Sequence, residues 1–220
     1  MSTKISEDRL EAFIHAGRRI AEHGLVVCGS GNLSCRADDG NMLISATGAW
    51  LAELTRDQVA LCRVQDGFRL NEASPSVELG IHSGILRARK DVNVVLHFQS
   101  PSATVLACQK KHKLDQIHVT PETPYYIGTV AVVPYLNPGS TELAEAVTAA
   151  LRDHDLASLQ NHGQVTVGRD YREALQRAVH FEFASEICLR GGGDLEVLGE
   201  EAINSLIRSR KANRDPLGRA

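Results

Sequence analysis

The stretch that most limits the possible folds is Val92-Asn93-Val94-Val95-Leu96-His97-Phe98-Gln99-Ser100. It holds an apolar run of strand length, of the kind that lies buried in a sheet. The run closes in His97, and Gln99, two residues on, shares its face because side chains i and i+2 lie side by side along a strand. A metal ion at a strand end can be gripped by such a pair. His162, in Asn161-His162-Gly163, stands at the mouth of a second run and is placed to close the site. Gln99 is the odd member, a neutral amide oxygen where a second imidazole is expected.

The remaining pattern alternates helices with short hairpins. Ser6–Glu22 carries Leu10, Phe13, Ile14 and Ile20 at helical spacing, with Gly24 just past its end. Asn32–Arg36 and Met42–Ser45 read as strands around the turn Asp38-Asp39-Gly40-Asn41, and Val59–Val64 and Phe68–Leu70 as strands around Asp66-Gly67. Leu51–Thr55 reads as a short helix. Ser76 is expected to cap a helix running to about Lys90, followed by the strand Val92–Phe98 and a helix over Ser102–Lys110. Ile117–Val119 and Thr129–Pro134 are expected strands, and Thr141–Arg152 a helix. Ala157–Gln160 and Gln164–Val167 flank His162, and Tyr171–Arg190 and Glu200–Arg210 are helices, with a mobile tail from about residue 211. The pattern predicts a single α/β domain over residues 1–220, with a central, mainly antiparallel sheet flanked by helices.

Composition narrows the function. A formal net charge of −3 leaves no basic stripe for nucleic acid, and no run reaches the ~20 apolar residues of a membrane span. Arg208, Arg210, Lys211, Arg214 and Arg219 read first as a solvated tail, and second as a phosphate or subunit contact. The five cysteines are an odd number without Cys-x-x-Cys, and Met1–Asp8 is polar and acidic. A cytoplasmic protein with reduced, mainly buried thiols is expected.

Three groups of residues carry chemistry. Gly29-Ser30-Gly31-Asn32-Leu33-Ser34 turns backbone N–H groups into one concavity and adds Asn and Ser donors, which suits an anion, though taken alone a plain turn explains it better. Thr47-Gly48 and Ser74-Pro75-Ser76 are similar small polar loops. Glu78, in the first turn after Ser76, reads either as a dipole-favoured solvated residue or as a metal-proximal acid/base. His82, one turn on, reads as a packed histidine or one supporting a ligand. Of the nine histidines, His97 and His162 stand out because each ends an apolar run before a loop; His15, His23, His112, His118, His154 and His180 read as surface or helix-flank residues.

Taken together, Gly31-Asn32-Leu33-Ser34, Thr47-Gly48, Ser76-Val77-Glu78, His97-Phe98-Gln99 and His162-Gly163 resemble, in order and separation, the motifs of the class II aldolase/adducin family. The resemblance runs from the first helix to about Gly199. It implies that Gly31, Asn32, Thr47, Gly48 and Ser76 hold the phosphate of a phosphorylated ketose. It implies that His97 and His162 ligate a divalent metal, usually zinc, and that Glu78 moves the proton and can also ligate. The implied reaction is metal-dependent cleavage of a ketose 1-phosphate, with L-fuculose 1-phosphate favoured, to dihydroxyacetone phosphate and an aldehyde through a stabilised enediolate. A homotetramer with sites at subunit interfaces goes with it.

Three positions depart from the family pattern. Val77 stands where the phosphate loop has a second Ser. No tyrosine follows Tyr171, so the tyrosine that similar aldolases contribute from the C-terminal tail has no counterpart, and Tyr125 or Tyr126 is the expected replacement. Gln99 stands where a third histidine is expected, which implies weaker zinc binding with tolerance of manganese or cobalt. A sugar-phosphate 4-epimerase, a dehydratase and a non-catalytic adducin-like scaffold are the rival readings.

Overall fold

The hairpin of Asn32–Arg36 and Met42–Ser45 and the strand Val59–Val64 read from the sequence form one half of a seven-stranded sheet of order β3-β2-β1-β4-β7-β6-β5. Phe68–Leu70, expected as a strand, makes only a single bridge from Arg69 to Cys62. The strands are β1 (Gly31–Arg36), β2 (Asn41–Ser45), β3 (Val59–Arg63), β4 (Val94–Phe98), β5 (Ala131–Val133), β6 (Leu156–Leu159) and β7 (Gly163–Gly168). Every pairing is antiparallel except β5 on β6. The helices are α1 (Glu7–Glu22), α2 (Leu79–Ala88), α3 (Pro101–Ala107), α4 (Thr141–Ala150), α5 (Tyr171–Gly191) and α6 (Glu200–Arg214). This computed structural model describes residues 5–38, 40–110, 114–192 and 194–214.

β4 is the central strand, and its alternation decides what each face holds. Val94, Leu96 and Phe98 join the core under α1, α3 and α5, with Phe13, Ile20, Leu106 and Phe181. Val95 points the other way, into the core under α2 and α4 with Ile81, Ile85, Leu143 and Val147. The period of two therefore sends His97 to the α2 side, and sends Asn32 and Ser34 of β1 there too, because Leu33 and Cys35 take the opposite face. Burial of each such large apolar side chain contributes about 1.5–3 kcal/mol, so this choice of face is not easily reversed.

Two close approaches fix the sheet at the site. Gly31 has φ +126°, and a Cβ there would stand 2.8 Å from the His97 carbonyl oxygen. A Cβ on Gly163 would stand 2.6 Å from Gln99 Cγ and 3.2 Å from His97 Cε1. Both glycines let β1 and β7 lie tight against the end of β4.

Several expectations are corrected. Ser76 does not cap α2: the helix starts at Leu79 with Glu78 in the capping position, and the Ser76 hydroxyl instead accepts from the Glu78 N–H at 3.2 Å. Ile117–Val119 is no strand; Ile117 is buried beyond a single turn at Leu114–Gln116 without joining a ladder. α6 continues to Arg214, and the remainder of the expected mobile tail lies outside the described residues. Arg210 is not a solvated charge, because it pairs with Asp155 and donates to the Ile127 carbonyl at 2.8 Å. Cys35 and Cys62 are buried, and burial pushes each thiol up to about 11, whereas Cys28 and Cys108 are exposed. His118 is buried, contrary to its reading as a surface residue, and His112 lies outside the described residues.

Candidate active site

Three elements meet at one end of the sheet on the α2 side. β4 delivers His97, the α2 N-terminus delivers Glu78, and the loop from β6 to β7 delivers His162. That loop turns through Asn161 at φ +54°, a left-handed conformation that asparagine tolerates better than most residues. Ligand atoms of Glu78, His97 and His162 all lie within 4.8 Å of one another. The His97 and His162 Nε2 atoms stand 3.5 and 3.6 Å from the two Glu78 carboxylate oxygens, and the two rings meet edge to face at 4.8 Å.

The orientation of His97 is set from behind. Its Nδ1 lies 2.9 Å from the Gln164 carbonyl oxygen, an acceptor only, so Nδ1 carries the proton and Nε2 turns its lone pair to the cluster. Glu78 is held on one side only. Asn32 Nδ2 donates to Glu78 Oε2 at 2.8 Å, whereas Oε1 is buried without a hydrogen-bond partner among the described residues. Burial raises the Glu78 carboxyl, but His97, the Asn32 amide, His162 and His82 pull it down, and it rests below its ordinary value. Burial, with His97 adding to it, lowers His162 against the opposing pull of Glu78.

A buried carboxylate with an open oxygen and two imidazole lone pairs is an expensive arrangement unless a cation joins it. The donor set of one carboxylate and two neutral imidazoles fits a divalent ion with room for further ligands. Gln99 reaches the same place, with its amide nitrogen 3.4 Å from His97 Nε2; turning the amide over presents the oxygen instead.

The small polar loops gather beside this cluster. Thr47 N–H donates to the Ser74 carbonyl at 3.0 Å, Ala46 bridges to Pro75, and a Cβ on Gly29 would lie 3.7 Å from the Gly48 carbonyl. Thr47 and Gly48 are exposed, and Gly48 has φ +71° with open space around its Cα.

A model of the class II aldolase and adducin N-terminal domain matches residues 11–189. The chain belongs to the class II aldolase and adducin family. It is 30% identical over 184 residues to a 3-oxo-tetronate 4-phosphate decarboxylase of Haemophilus influenzae, covering 80% of this chain and 85% of that protein. An L-fuculose phosphate aldolase of Methanococcus maripaludis is 35% identical over 167 residues, covering 75% and 87%. Among solved structures, an L-fuculose 1-phosphate aldolase superposes with a TM-score of 0.84 at 25% identity, covering 94% of this chain and 97% of that one. YgbL of Klebsiella pneumoniae superposes at 0.83 with 28% identity, covering 90% and 96%. The named relatives are enzymes of sugar phosphates, and this chain is an enzyme of the same family.

Within that family frame, the structure sorts the residues singled out from the sequence. Glu78, His97, Gln99 and His162 come together. Thr47, Gly48 and Ser76 lie on the adjoining loops, although the Ser76 side chain is buried and engaged with Glu78 N–H. Gly31 is used for close packing on β4, and both ends of the Asn32 amide are taken by protein groups. Tyr125 and Tyr126 fall on the opposite face: Tyr125 OH accepts from Asn213 at 2.9 Å and Tyr126 stacks on His180 of α5, so neither reaches Glu78 of the same chain.

One supporting residue, Glu182, escaped the sequence reading, whereas His82 takes the packed, supporting place read for it. Glu182 of α5 accepts from Ser100 Oγ and from the N–H groups of Ser102 and Ala103 at 2.6–2.8 Å, tying down the segment that follows Gln99. His82 is fully buried between Asn32 and Ser34, and burial pushes it down to about 3. Glu182 leaves no local signal, because it caps a helix some eighty residues away.

Proposed function

We propose that the chain is a metal-dependent carbon–carbon lyase of a phosphorylated sugar derivative, and that its reaction is decarboxylation of a 3-oxo-tetronate 4-phosphate. The observation that carries this reading is the Glu78–His97–His162 cluster with one carboxylate oxygen left open. His97 Nε2, His162 Nε2, Glu78 and the Gln99 amide oxygen would hold the metal, zinc first and manganese or cobalt as alternatives. A divalent cation supplies Lewis-acid polarisation of substrate oxygens and offsets the charge that develops when the carbon–carbon bond breaks.

The protein groups account for the proton. Breaking the bond between C1 and C2 releases carbon dioxide and leaves its electron pair in an enediolate across C2 and C3. One proton, taken from water, must return to C2 to give dihydroxyacetone phosphate. Glu78 Oε1 is the atom free to carry it, since Oε2 is held by Asn32. Thr47 and Gly48 lie on the exposed loop that would receive the phosphate.

Aldol cleavage of a ketose 1-phosphate such as L-fuculose 1-phosphate is the second reading, favoured by the 35% identity to an L-fuculose phosphate aldolase. It reaches the same enediolate but needs an additional base for the hydroxyl proton, and the two candidate tyrosines lie on the far face of the sheet. Among the described residues of one chain no tyrosine stands beside Glu78, which supports decarboxylation. Exposed Val27, Trp50 and Val77, on the loops around the site, support burial of this end in a homotetramer.

The co-product decides between the readings. Zinc-loaded protein is incubated with each substrate, and dihydroxyacetone phosphate, carbon dioxide and aldehyde are measured together. Carbon dioxide in equal amount with the triose phosphate supports decarboxylation; aldehyde in equal amount replaces it with the aldolase reading. Release of neither removes both.

A further inference from the structure

Glu78 owes its orientation to a directed chain of three buried groups. An ionised carboxylate only accepts hydrogen bonds, so Asn32 must present its NH2 to Glu78 Oε2, at 2.8 Å. That places the Asn32 carbonyl oxygen against His82 Nε2, which must then carry the proton. His82 Nδ1 is left as an acceptor, and Ser34 Oγ, 2.7 Å away, donates to it. Ser34 and His82 are fully buried and Asn32 nearly so, so water does not compete for these bonds.

We propose that Ser34 and His82 are positioning residues that lock the Asn32 amide with its NH2 toward Glu78, and so hold Glu78 Oε1 open toward His162. The inference rests on the lyase reading for its kinetic consequence, but its structural content is separate. Without the Ser34 hydroxyl, the imidazole is free to take the other tautomer. Nε2 then accepts from the Asn32 NH2, the amide turns over, and its oxygen faces the carboxylate. A carbonyl dipole opposing a buried anion repels it, and the carboxylate leaves the position between the two imidazoles.

The chain explains features that packing alone does not. β1 sends asparagine and serine, rather than apolar residues, into the layer under α2, and α2 answers with a fully buried histidine. A buried polar network of this kind is costly when half satisfied, so each member depends on the others. Neither Ser34 nor His82 touches the open side of Glu78, and both act through Asn32.

Three variants and one spectrum test it. In wild-type protein, nitrogen NMR of the His82 ring should show a single neutral tautomer protonated at Nε2; protonation at Nδ1, or an even mixture, would overturn the proposal without any activity measurement. Ser34→Ala should shift that tautomer balance, weaken zinc in a chelator competition about tenfold, and lower kcat about tenfold with KM little changed. His82→Leu should lower both about a hundredfold, while His82→Gln, which can donate to Asn32 and accept from Ser34, should stay within about threefold of wild type. If Ser34→Ala and His82→Leu fold and bind zinc as wild type does, the lock is not there. If wild-type protein itself binds no zinc, it is the lyase reading that fails, and the tautomer spectrum still decides the lock.

Discussion

Two buried carboxylates in this molecule are treated in opposite ways. Asp155, at the start of β6, is met by three guanidinium groups, from Arg89 and Arg177 at 3.0 and 3.1 Å and from Arg210 of α6. Glu78 is met by one amide and by two imidazoles at 3.5 and 3.6 Å, and one of its oxygens has no hydrogen-bond partner among the described residues. Both side chains are under a tenth exposed, so burial does not distinguish them. What distinguishes them is saturation. A carboxylate enclosed by permanent cations is held and spent on joining α6, α5 and the loop after α2 to the sheet. A carboxylate left open beside imidazole lone pairs remains available for a metal ion and a proton.

The sharpest way to break this comparison is to exchange the two roles by mutation. Glu78→Gln should lower turnover about a thousandfold while the protein keeps its wild-type circular dichroism and melting temperature within a few degrees. Full activity in that variant would remove Glu78 from the chemistry. Asp155→Asn should do the reverse. Leaving the arginines around a neutral amide should cost ~3 kcal/mol of stability in urea denaturation, with little change in turnover per folded molecule. A loss of turnover at full stability would mean that the ion-pair hub serves the site directly.

A smaller effect separates the surroundings of Glu78 by pH. His82 titrates near 6.5 when unfolded and near 3 when folded, so the native state favours its neutral form. Its contribution is complete above the unfolded value and is lost as pH falls from about 6.5 toward about 3. By pH 5 the loss is roughly 2 kcal/mol, from about 1.4 kcal/mol for each pH step below 6.5. Urea midpoints of chelator-treated wild type and His82→Gln at pH 7.5 and pH 5 should diverge by that amount, and parallel midpoints would refute it. The smallest change expected is at Gln99. Gln99→His adds an imidazole beside His97 and should tighten zinc about tenfold in a chelator competition, whereas unchanged affinity would show that position 99 does not ligate.

The sequence made the end of the sheet that carries His97 and His162 more legible than the end that carries Asp155. His97 and His162 could be picked out because each ends an apolar run, and the order of the five motifs carried the family. The start of α2 was misread by two residues, since Ser76 has the residue type of a helix cap while its hydroxyl bonds to a residue before the helix begins. Arg210 was taken for a solvated tail because local composition does not reveal a partner fifty-five residues away. The engagement of the Asn32 amide was hidden for the same reason: its partners Glu78 and His82 are 46 and 50 residues on.

The sequence alone determined which strands are buried, where the turns fall and which residue types crowd the end of β4, because periodicity and turn chemistry are local. Only the tertiary structure decided which oxygen of Glu78 is free, which way the Asn32 amide faces and which tautomer His82 must hold. Those are matters of pairing across the sheet, and a hydrogen bond between distant residues leaves no trace in either one's neighbours.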